Sequence, residues 1–240
     1  MGKDKLAEVL DRVGHRVRRG VLPVVVFDLD STLFSTRARN LRILRDFADD
    51  HGADYPGLVD VAAAMREEEL GWGITGDARA RGLEDPAALD HLGRYWMQRF
   101  FTSEYVLHDK PTPGAVEYVS RVHELGALVY YLTGRHVSDM GAGTVKALTD
   151  AGFPLWRGRV ALHLKPAFDD DDREFKDDAL TDIRSHHGDV VATFENEPEN
   201  ANLFVSAFPD ALNFLLQTVH SPRPIEPVAE LVKVPDFRLD

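Results

Sequence analysis

The chain has 240 residues, 44% of them hydrophobic, which is enough for one large domain or for a core with an inserted module. Its 28 Lys and Arg residues against 40 Asp and Glu residues give a formal charge of −12, which argues against nonspecific binding to nucleic acid or anionic membranes. The absence of Cys excludes disulfides, thiolate metal sites and a cysteine nucleophile.

The sequence carries no targeting or membrane signal that we recognise. Residues 1–20 are basic and lack the apolar centre of a signal peptide, and no apolar run reaches the roughly 18 residues that span a bilayer. We therefore expect a soluble, cytoplasmic protein without nucleic-acid or membrane partners. The sequence gives no sign of its oligomeric state.

The first half of the chain is predicted to be mostly helical. Residues 1–20 are predicted to form an N-terminal helical extension, and the apolar run Val24–Phe27 is predicted to be a buried strand. Helical patterns then follow at 37–50, 58–70 and 86–101, without a convincing strand between them. We interpret residues 37–108 as a helical insert.

The second half alternates between helix and strand patterns. A helix through Leu125 is followed by predicted strands at 127–132, 160–164, 190–194 and 211–218, with helices at 137–151, 173–185 and 198–206 between them. This order predicts an α/β fold with a doubly wound, mainly parallel sheet built from residues 21–36 and 109–240. The Pro-rich tail from Ser221 is expected to wrap the surface.

Two carboxylates follow the first predicted strand. Val24–Phe27 runs directly into Asp28 and Asp30, and the carboxyl end of a buried parallel strand is where open α/β sheets bind ligands. Two carboxylates that approach one small site are costly without a cation between them, so the pair indicates a metal. Taken alone, the segment also fits a turn in which Ser31 or Thr32 caps a following helix.

A hydroxyl group follows the second core strand. Thr133 and Gly134 come directly after the strand at 127–132, where a hydroxyl and backbone amides can hold phosphate oxygens. A threonine that caps a helix at an ordinary turn fits the same pattern.

A lysine near the start of the helix at 173–185 is a candidate partner for these groups. Lys176 can extend to a position between Asp28 and an anion, and its charge would stabilise both. The alternative is a solvent-facing Lys176 paired with Asp177 or Glu174. Lys165, after the third strand, competes for the same role.

The strand at 190–194 also ends in oxygen donors. Glu195 and Asn196 follow it, and hard oxygen ligands are those that Mg²⁺ accepts, although an acidic turn remains an open interpretation. The run Asp169–Asp172 lacks the Gly and the spaced ligands of an EF-hand loop. We interpret it as a solvated acidic turn.

The order and spacing of these segments resemble the haloacid dehalogenase superfamily of aspartate-nucleophile phosphohydrolases. The first motif of that superfamily, DxDx[TV], matches Asp28–Thr32, its second-motif hydroxyl matches Thr133, and its third-motif lysine best matches Lys176. In the fourth motif, Glu195 and Asn196 replace the usual acidic residues. The resemblance covers about residues 21–218 and implies a Rossmann-like core with a helical cap at 37–108.

The resemblance implies a Mg²⁺-dependent phosphatase that hydrolyses a small phosphate monoester through an aspartyl-phosphate. It makes Asp28 the nucleophile and Asp30 the general acid and base. The implied Mg²⁺ ligands are Asp28, the backbone carbonyl of Asp30 and Glu195, with Asn196 as a neutral neighbour.

The resemblance also implies which residues hold the transferring phosphate. Thr133 and Lys176 would stabilise its charge, with further substrate contacts from Leu29, Ser31, Thr32 and Gly134. Arg37 and Arg39 are the basic residues of the insert nearest the nucleophile in sequence. We expect one of them, Arg37 first, to bind an anionic group of the substrate.

Two alternatives to a hydrolase remain. Retention of Asp30 favours phosphate-ester cleavage over dehalogenation, because alkoxide leaving groups need a proton. A phosphotransferase or phosphomutase of the same fold keeps both aspartates as well. A catalytically silent phosphate- or metal-binding module would also fit the unusual pair Glu195 and Asn196.

Overall fold

The computed structural model describes residues 2–156 and 158–239. These residues divide into two compact units. The core unit contains the residues up to Phe34, Pro111–Ser138 and the described residues from Leu148 onward. The insert unit contains Ser35–Lys110 and Asp139–Ala147. The predicted domain boundaries at 36/37 and 108/109 stay a prediction.

The described residues form eight strands in two sheets. They are β1 (Pro23–Phe27), β2 (Phe34–Ser35), β3 (Lys110–Pro111), β4 (Leu128–His136), β5 (Val160–Lys165), β6 (Asp189–Glu195), β7 (Leu212–Leu216) and β8 (Val232–Val234). The main sheet has the order β5-β4-β1-β6-β7-β8, and every neighbouring pair is parallel. The predicted α/β class with a mainly parallel sheet is confirmed.

Ten α-helices accompany the strands in the described residues. They are α1 (Gly2–Arg18), α2 (Arg37–His51), α3 (Leu58–Ala64), α4 (Ile74–Ala80), α5 (Pro86–Phe100), α6 (Ser103–Val106), α7 (Ala115–Glu124), α8 (Val137–Ala151), α9 (Asp172–Ser185) and α10 (Pro198–Ala207). Helices α2 to α6 lie in the insert unit, together with a short 3-10 helix at Glu67–Glu69. Among the described residues, none of the helices combines the length and apolar character needed to cross a membrane.

The main sheet is buried on both faces, as a doubly wound sheet requires. On one face, Val26 and Tyr130 pack with Phe175 and Ile183 of α9. On the other face, the ring of Phe194 stacks between neighbouring rings, with centroids 4.9 Å from Phe27 and 4.5 Å from Phe214. The β-branched and aromatic residues of the central strands provide apolar side chains on both faces of the sheet.

The insert unit has an apolar core of its own and a buried ion pair. Phe47 and Tyr95 pack within this core, with ring centroids 5.2 Å apart. The side chains of Arg39 and Asp109 are both fully buried and form an ion pair. Arg39 also donates to the carbonyl of Phe100 at 3.1 Å.

Several predicted elements differ from the structure. The Pro-rich tail is not only a surface segment, because β8 adds a sixth strand beside β7. The helix predicted at 58–70 is divided into α3 and the 3-10 helix, and the short helices α4 and α6 were not predicted. Strand β4 continues to His136, four residues beyond its predicted end, because Thr133 and His136 pair with Leu164 and Lys165 of β5 on either side of a register shift.

Candidate active site

The parallel register brings three predicted site residues to one edge of the sheet. Phe27 pairs with Tyr131 of β4 and with Phe194 of β6, so the three central strands reach this edge together. Asp28 follows directly, and its backbone amide donates to the carbonyl of Phe194 at 3.0 Å. Glu195 is therefore level with Asp28, and Thr133 lies two residues after Tyr131 on the adjacent strand.

Lys176 connects two of these carboxylates. Its Nζ donates to Oδ1 of Asp28 at 2.9 Å and to Oε2 of Glu195 at 2.5 Å. All three side chains are buried, and that of Glu195 has no exposed surface. The alternative of a solvent-facing Lys176 is wrong, and this lysine is the one that contacts Asp28.

The helical periodicity of α9 explains the burial of Lys176. Its neighbours on the same face are Ala179, Leu180 and Ile183, which pack on the sheet. Asp171 begins the helix by accepting hydrogen bonds from the amides of Arg173 and Glu174. Lys176 is therefore directed toward the strands, because the apolar face of α9 on which it lies packs against the sheet.

The three linked groups carry an uncompensated negative charge. Asp28 and Glu195 supply two carboxylates against the single ammonium of Lys176. Burial, followed by repulsion from Glu195, raises the pKa of Asp28 to about 7. Burial alone lowers the pKa of Lys176, but attraction to the two carboxylates outweighs burial and raises it.

The segment after Asp28 forms a tight loop. Ser31 has a positive φ of 58°, and its amide donates to the carbonyl of Phe34 at 2.7 Å. The amides of Thr32 and Phe34 both donate to the carbonyl of Leu29, at 3.1 and 2.8 Å. Ser31 and Thr32 therefore close a turn around Leu29 and do not cap a helix.

The side chain of Thr32 ties this loop to the segment after β6. Its hydroxyl donates to Oδ1 of Asn196 at 3.1 Å, and the amide nitrogen of Asn196 donates to the carbonyl of Val219 at 2.7 Å. Thr218 then donates to the carbonyl of Ser31. Asn196 thus holds three chain segments together through its side chain.

Asp30 is held by an arginine that sequence reasoning did not assign. Nη2 of Arg135 lies 2.7 Å from Oδ1 of Asp30, and Nε lies 3.2 Å from both carboxylate oxygens. Thr133 and Arg135 are two residues apart near the end of β4, where the strand register shifts, and the amide of Arg135 donates to the hydroxyl of Thr133 at 3.2 Å. The position of Arg135 two residues after the predicted phosphate-binding hydroxyl was the available signal.

The remaining predicted residues have other surroundings or belong to the other unit. Lys165 donates to the carbonyls of Phe168 and Asp170 and to Asp172, so it orders the acidic loop. Gly134 faces the start of α9, because an added Cβ would lie 3.2 Å from a carboxylate oxygen of Asp172. Arg37 is the first residue of α2 in the insert unit.

The residues at the sheet edge fit a divalent cation in charge and in donor type. Asp28 and Glu195 offer carboxylate oxygens, and a cation would offset the charge that the single ammonium of Lys176 leaves uncompensated. Among the described residues, no group of three or more His, Cys, Asp or Glu side chains is arranged to hold a metal ion. The carboxylate of Asp30 is engaged by Arg135, which leaves its backbone carbonyl as the oxygen that Asp30 could offer to a metal ion.

Comparison with known proteins identifies the fold. No family model matches the sequence, and no curated protein matches it either. Among solved structures, a predicted phosphoglycolate phosphatase from Haemophilus somnus superimposes with a TM-score of 0.53 and 13% identity, over 90% of this chain and 95% of that protein. A haloacid dehalogenase-like family hydrolase from Streptococcus pneumoniae has a TM-score of 0.50 and 10% identity, over 85% and 89% of the two chains.

A third similar structure is larger. The chain spans 64% of the length of a class C acid phosphatase from Bacillus anthracis, with 82% of this chain covered, 13% identity and a TM-score of 0.42. At these identities the similarity is one of fold. The chain therefore has the fold of the haloacid dehalogenase-like hydrolases, a parallel α/β core interrupted by an insert after its first strand.

Proposed function

We propose that this protein is a Mg²⁺-dependent phosphatase of the haloacid dehalogenase superfamily that hydrolyses small phosphate monoesters. One observation carries the proposal: Lys176 joins the carboxylates of Asp28 and Glu195 at the carboxyl edge of the sheet. A charged cluster of this kind is costly to bury, so a ligand that uses its charges explains it better than stability does. The fold shared with a predicted phosphoglycolate phosphatase supports the same reaction class.

Asp28 would be the nucleophile. Lys176 binds its Oδ1, which leaves Oδ2 for attack on phosphorus. The new bond joins Oδ2 to phosphorus, and the ester bond breaks with its electron pair moving to the leaving oxygen. The product is an aspartyl-phosphate, a mixed anhydride that water can hydrolyse.

Asp30 would move the protons. In the first step its carboxyl gives a proton to the leaving alkoxide. In the second step its carboxylate takes a proton from water, the water oxygen bonds to phosphorus, and the bond between phosphorus and Oδ2 of Asp28 breaks with its electron pair returning to Asp28. Thr133, Lys176 and the backbone of Leu29 and Ser31 would hold the transferring phosphate.

Mg²⁺ would complete the site. Asp28, Glu195 and the backbone carbonyl of Asp30 would hold it, and the bound ion would neutralise charge that otherwise repels a phosphate from Asp28. Asn196 would support the ion indirectly, because its side chain is bound by Thr32 and Val219. The cytoplasmic location expected from the sequence stays a prediction.

The test is hydrolysis of p-nitrophenyl phosphate with Mg²⁺, with and without a chelator, by the wild type and by Asp28→Asn. We expect turnover only in the wild type with Mg²⁺, and formation of a hydroxamate at Asp28 when hydroxylamine is added to that sample, because hydroxylamine cleaves an acyl phosphate at its acyl carbon and releases phosphate. Equal turnover by Asp28→Asn would refute the proposal. Transfer of phosphate to an added sugar in preference to water would make the protein a phosphotransferase instead.

A further inference from the structure

The side chain of Arg135 has no role in the scheme above, although it is among the most buried charged groups of the core unit. Its guanidinium has no exposed surface, whereas the carboxylate of Asp30 is one-third exposed. Arg135 contacts Asp30 through two different nitrogens, at 2.7 and 3.2 Å. Two contacts from one planar group restrict both the position and the rotation of a carboxylate.

Phe34 holds the guanidinium from a second direction. The carbon atom at the centre of the guanidinium lies 5.4 Å from the centre of the Phe34 ring, within the range of a cation–π contact. Phe34 also closes the loop that follows Asp28, because its amide donates to the carbonyl of Leu29 and its carbonyl accepts from the amide of Ser31. Arg135 is therefore fixed by the same loop that carries Asp30.

We propose that Arg135 is a positioning residue, which holds the carboxylate of Asp30 where it exchanges protons with the leaving oxygen and with water. This inference rests on the proposed phosphatase function. Loss of Arg135 should therefore affect the steps that use Asp30 and spare those that use Asp28 and Lys176.

Pre-steady-state kinetics separates these two sets of steps. With p-nitrophenyl phosphate, the leaving group departs without a proton, so formation of the aspartyl-phosphate depends little on Asp30. We expect Arg135→Met to keep the rate of the nitrophenol burst within about threefold, while its steady-state rate falls about 10- to 100-fold, as for a partly impaired acid–base group. Asp30→Asn should show the same pattern with a larger loss.

A double substitution distinguishes positioning from a general structural role. If Arg135 acts through Asp30, Asp30→Asn with Arg135→Met should be no more than about threefold slower than Asp30→Asn alone. Arg135→Lys should lie between Arg135→Met and the wild type, because an ammonium keeps the charge but makes a single contact. Multiplied losses in the double variant, or equal losses of burst and steady-state rates in Arg135→Met, would overturn the proposal.

A second readout does not depend on activity. In the metal-free protein, nitrogen–proton NMR should show an Nε–H of Arg135 that exchanges slowly and shifts in Asp30→Asn. The Nε–H of Arg39, which donates to Asp109 at 2.8 Å, is the internal reference and should not shift. An Arg135 signal unchanged in Asp30→Asn would contradict the proposed contact.

Failure of the proposed function and failure of the positioning role give different results in these experiments. Absence of both burst and Mg²⁺-dependent turnover in the wild type would refute the phosphatase. An active wild type in which Arg135→Met fails to follow Asp30→Asn would refute the positioning role alone. Folding is checked by the melting temperature, and we expect Arg135→Met to fold because the exposed part of Asp30 allows solvation of its carboxylate.

Discussion

The ammonium of Lys176 lies 2.5 Å from a carboxylate oxygen of Glu195, although helix α9 and strand β6 supply the two residues separately. The same ammonium contacts Asp28, so one positive charge serves two buried negative charges. Removal of Lys176 would lower the stability of the fold, because the carboxylates of Asp28 and Glu195 would remain buried without a positive partner.

Lys176→Met should be far more harmful than Lys165→Met. We expect Lys176→Met to lower phosphate hydrolysis by about 10²- to 10³-fold, because the transferring phosphate loses a fixed positive charge. It should also lower the free energy of unfolding by about 3–5 kcal/mol in chelator, since Asp28 and Glu195 stay buried. Lys165→Met should keep the activity, because Lys165 binds the acidic loop; similar activity losses in both variants would contradict this assignment.

Mg²⁺ should stabilise the wild type, and Glu195 should be needed for that effect. At a concentration 100 times its dissociation constant, a ligand stabilises the folded state by about 2.7 kcal/mol. We expect Mg²⁺ to raise the free energy of unfolding of the wild type, measured in urea, by this amount, and to raise that of Glu195→Gln much less. Asp169→Asn, in the exposed acidic run, is the matched control and should respond like the wild type. A lost response in Asp169→Asn would place the ion in the acidic loop.

The stability of the metal-free protein should depend on pH through Asp28. Burial and repulsion from Glu195 raise the pKa of Asp28 from its ordinary value of 3.8 to about 7. The folded state therefore binds this proton more tightly than the unfolded state, so the associated stability is present below about pH 4 and is lost as the pH rises to about 7.

The reference for this measurement is Asp28→Asn, which does not titrate at that position. In chelator, the free energy of unfolding of the wild type minus that of Asp28→Asn should fall as the pH rises across that interval. Mg²⁺ should reduce the fall, because a cation favours the ionised carboxylate. A difference that stays constant with pH would show that the folded protein leaves the pKa of Asp28 near its ordinary value.

Arg39→Met should destabilise the protein by about 3–5 kcal/mol, because it leaves the carboxylate of Asp109 buried without a partner. Chemical denaturation followed by fluorescence measures this change. Arg42→Met is the control, because Arg42 is an exposed residue of the same helix and its pair with Asp46 should contribute less than about 1 kcal/mol. Equal effects of the two substitutions would exclude a structural role for the buried pair.

Arg37 is predicted to bind an anionic group of the substrate. We expect Arg37→Ala to raise KM about 5- to 20-fold for phosphate esters with a second anionic group, as the loss of one charged hydrogen bond does. KM for neutral phosphate esters should stay within about twofold. Arg42→Ala is the surface control. No change of KM for any ester of a charged and neutral panel would end the hypothesis.

The sequence predicted most core elements because their periodicities are strong. The apolar run before Asp28, the alternation of strands and helices from 127 onward and the span of α8 all match the structure. The short helices α4 and α6 escaped prediction because seven- and four-residue segments have too few turns to establish a period. Strand β8 lies in a Pro-rich segment, and its pairing with β7 comes from a distant part of the chain.

At the candidate site, the sequence predicted which residues are present more successfully than it predicted which side chains contact each other. The choice between Lys176 and Lys165 was open, because both follow a strand and both can extend toward its end. The structure distinguishes the two lysines, because Lys176 lies on the buried apolar face of α9. Asn196 was predicted beside the metal, but its side-chain bonds to Thr32 and Val219 depend on loops 20 or more residues apart.

The fold class and the position of Asp28 and Asp30 at a strand end were predictable from local properties of the sequence, namely the strand and helix periods and the spacing of the two carboxylates. The ion pairs of the site depend on the tertiary structure. Arg135 lies 105 residues from Asp30, and Lys176 lies 148 residues from Asp28. Such pairs form only when the sheet register brings distant strand ends together, and a single sequence carries no record of that register.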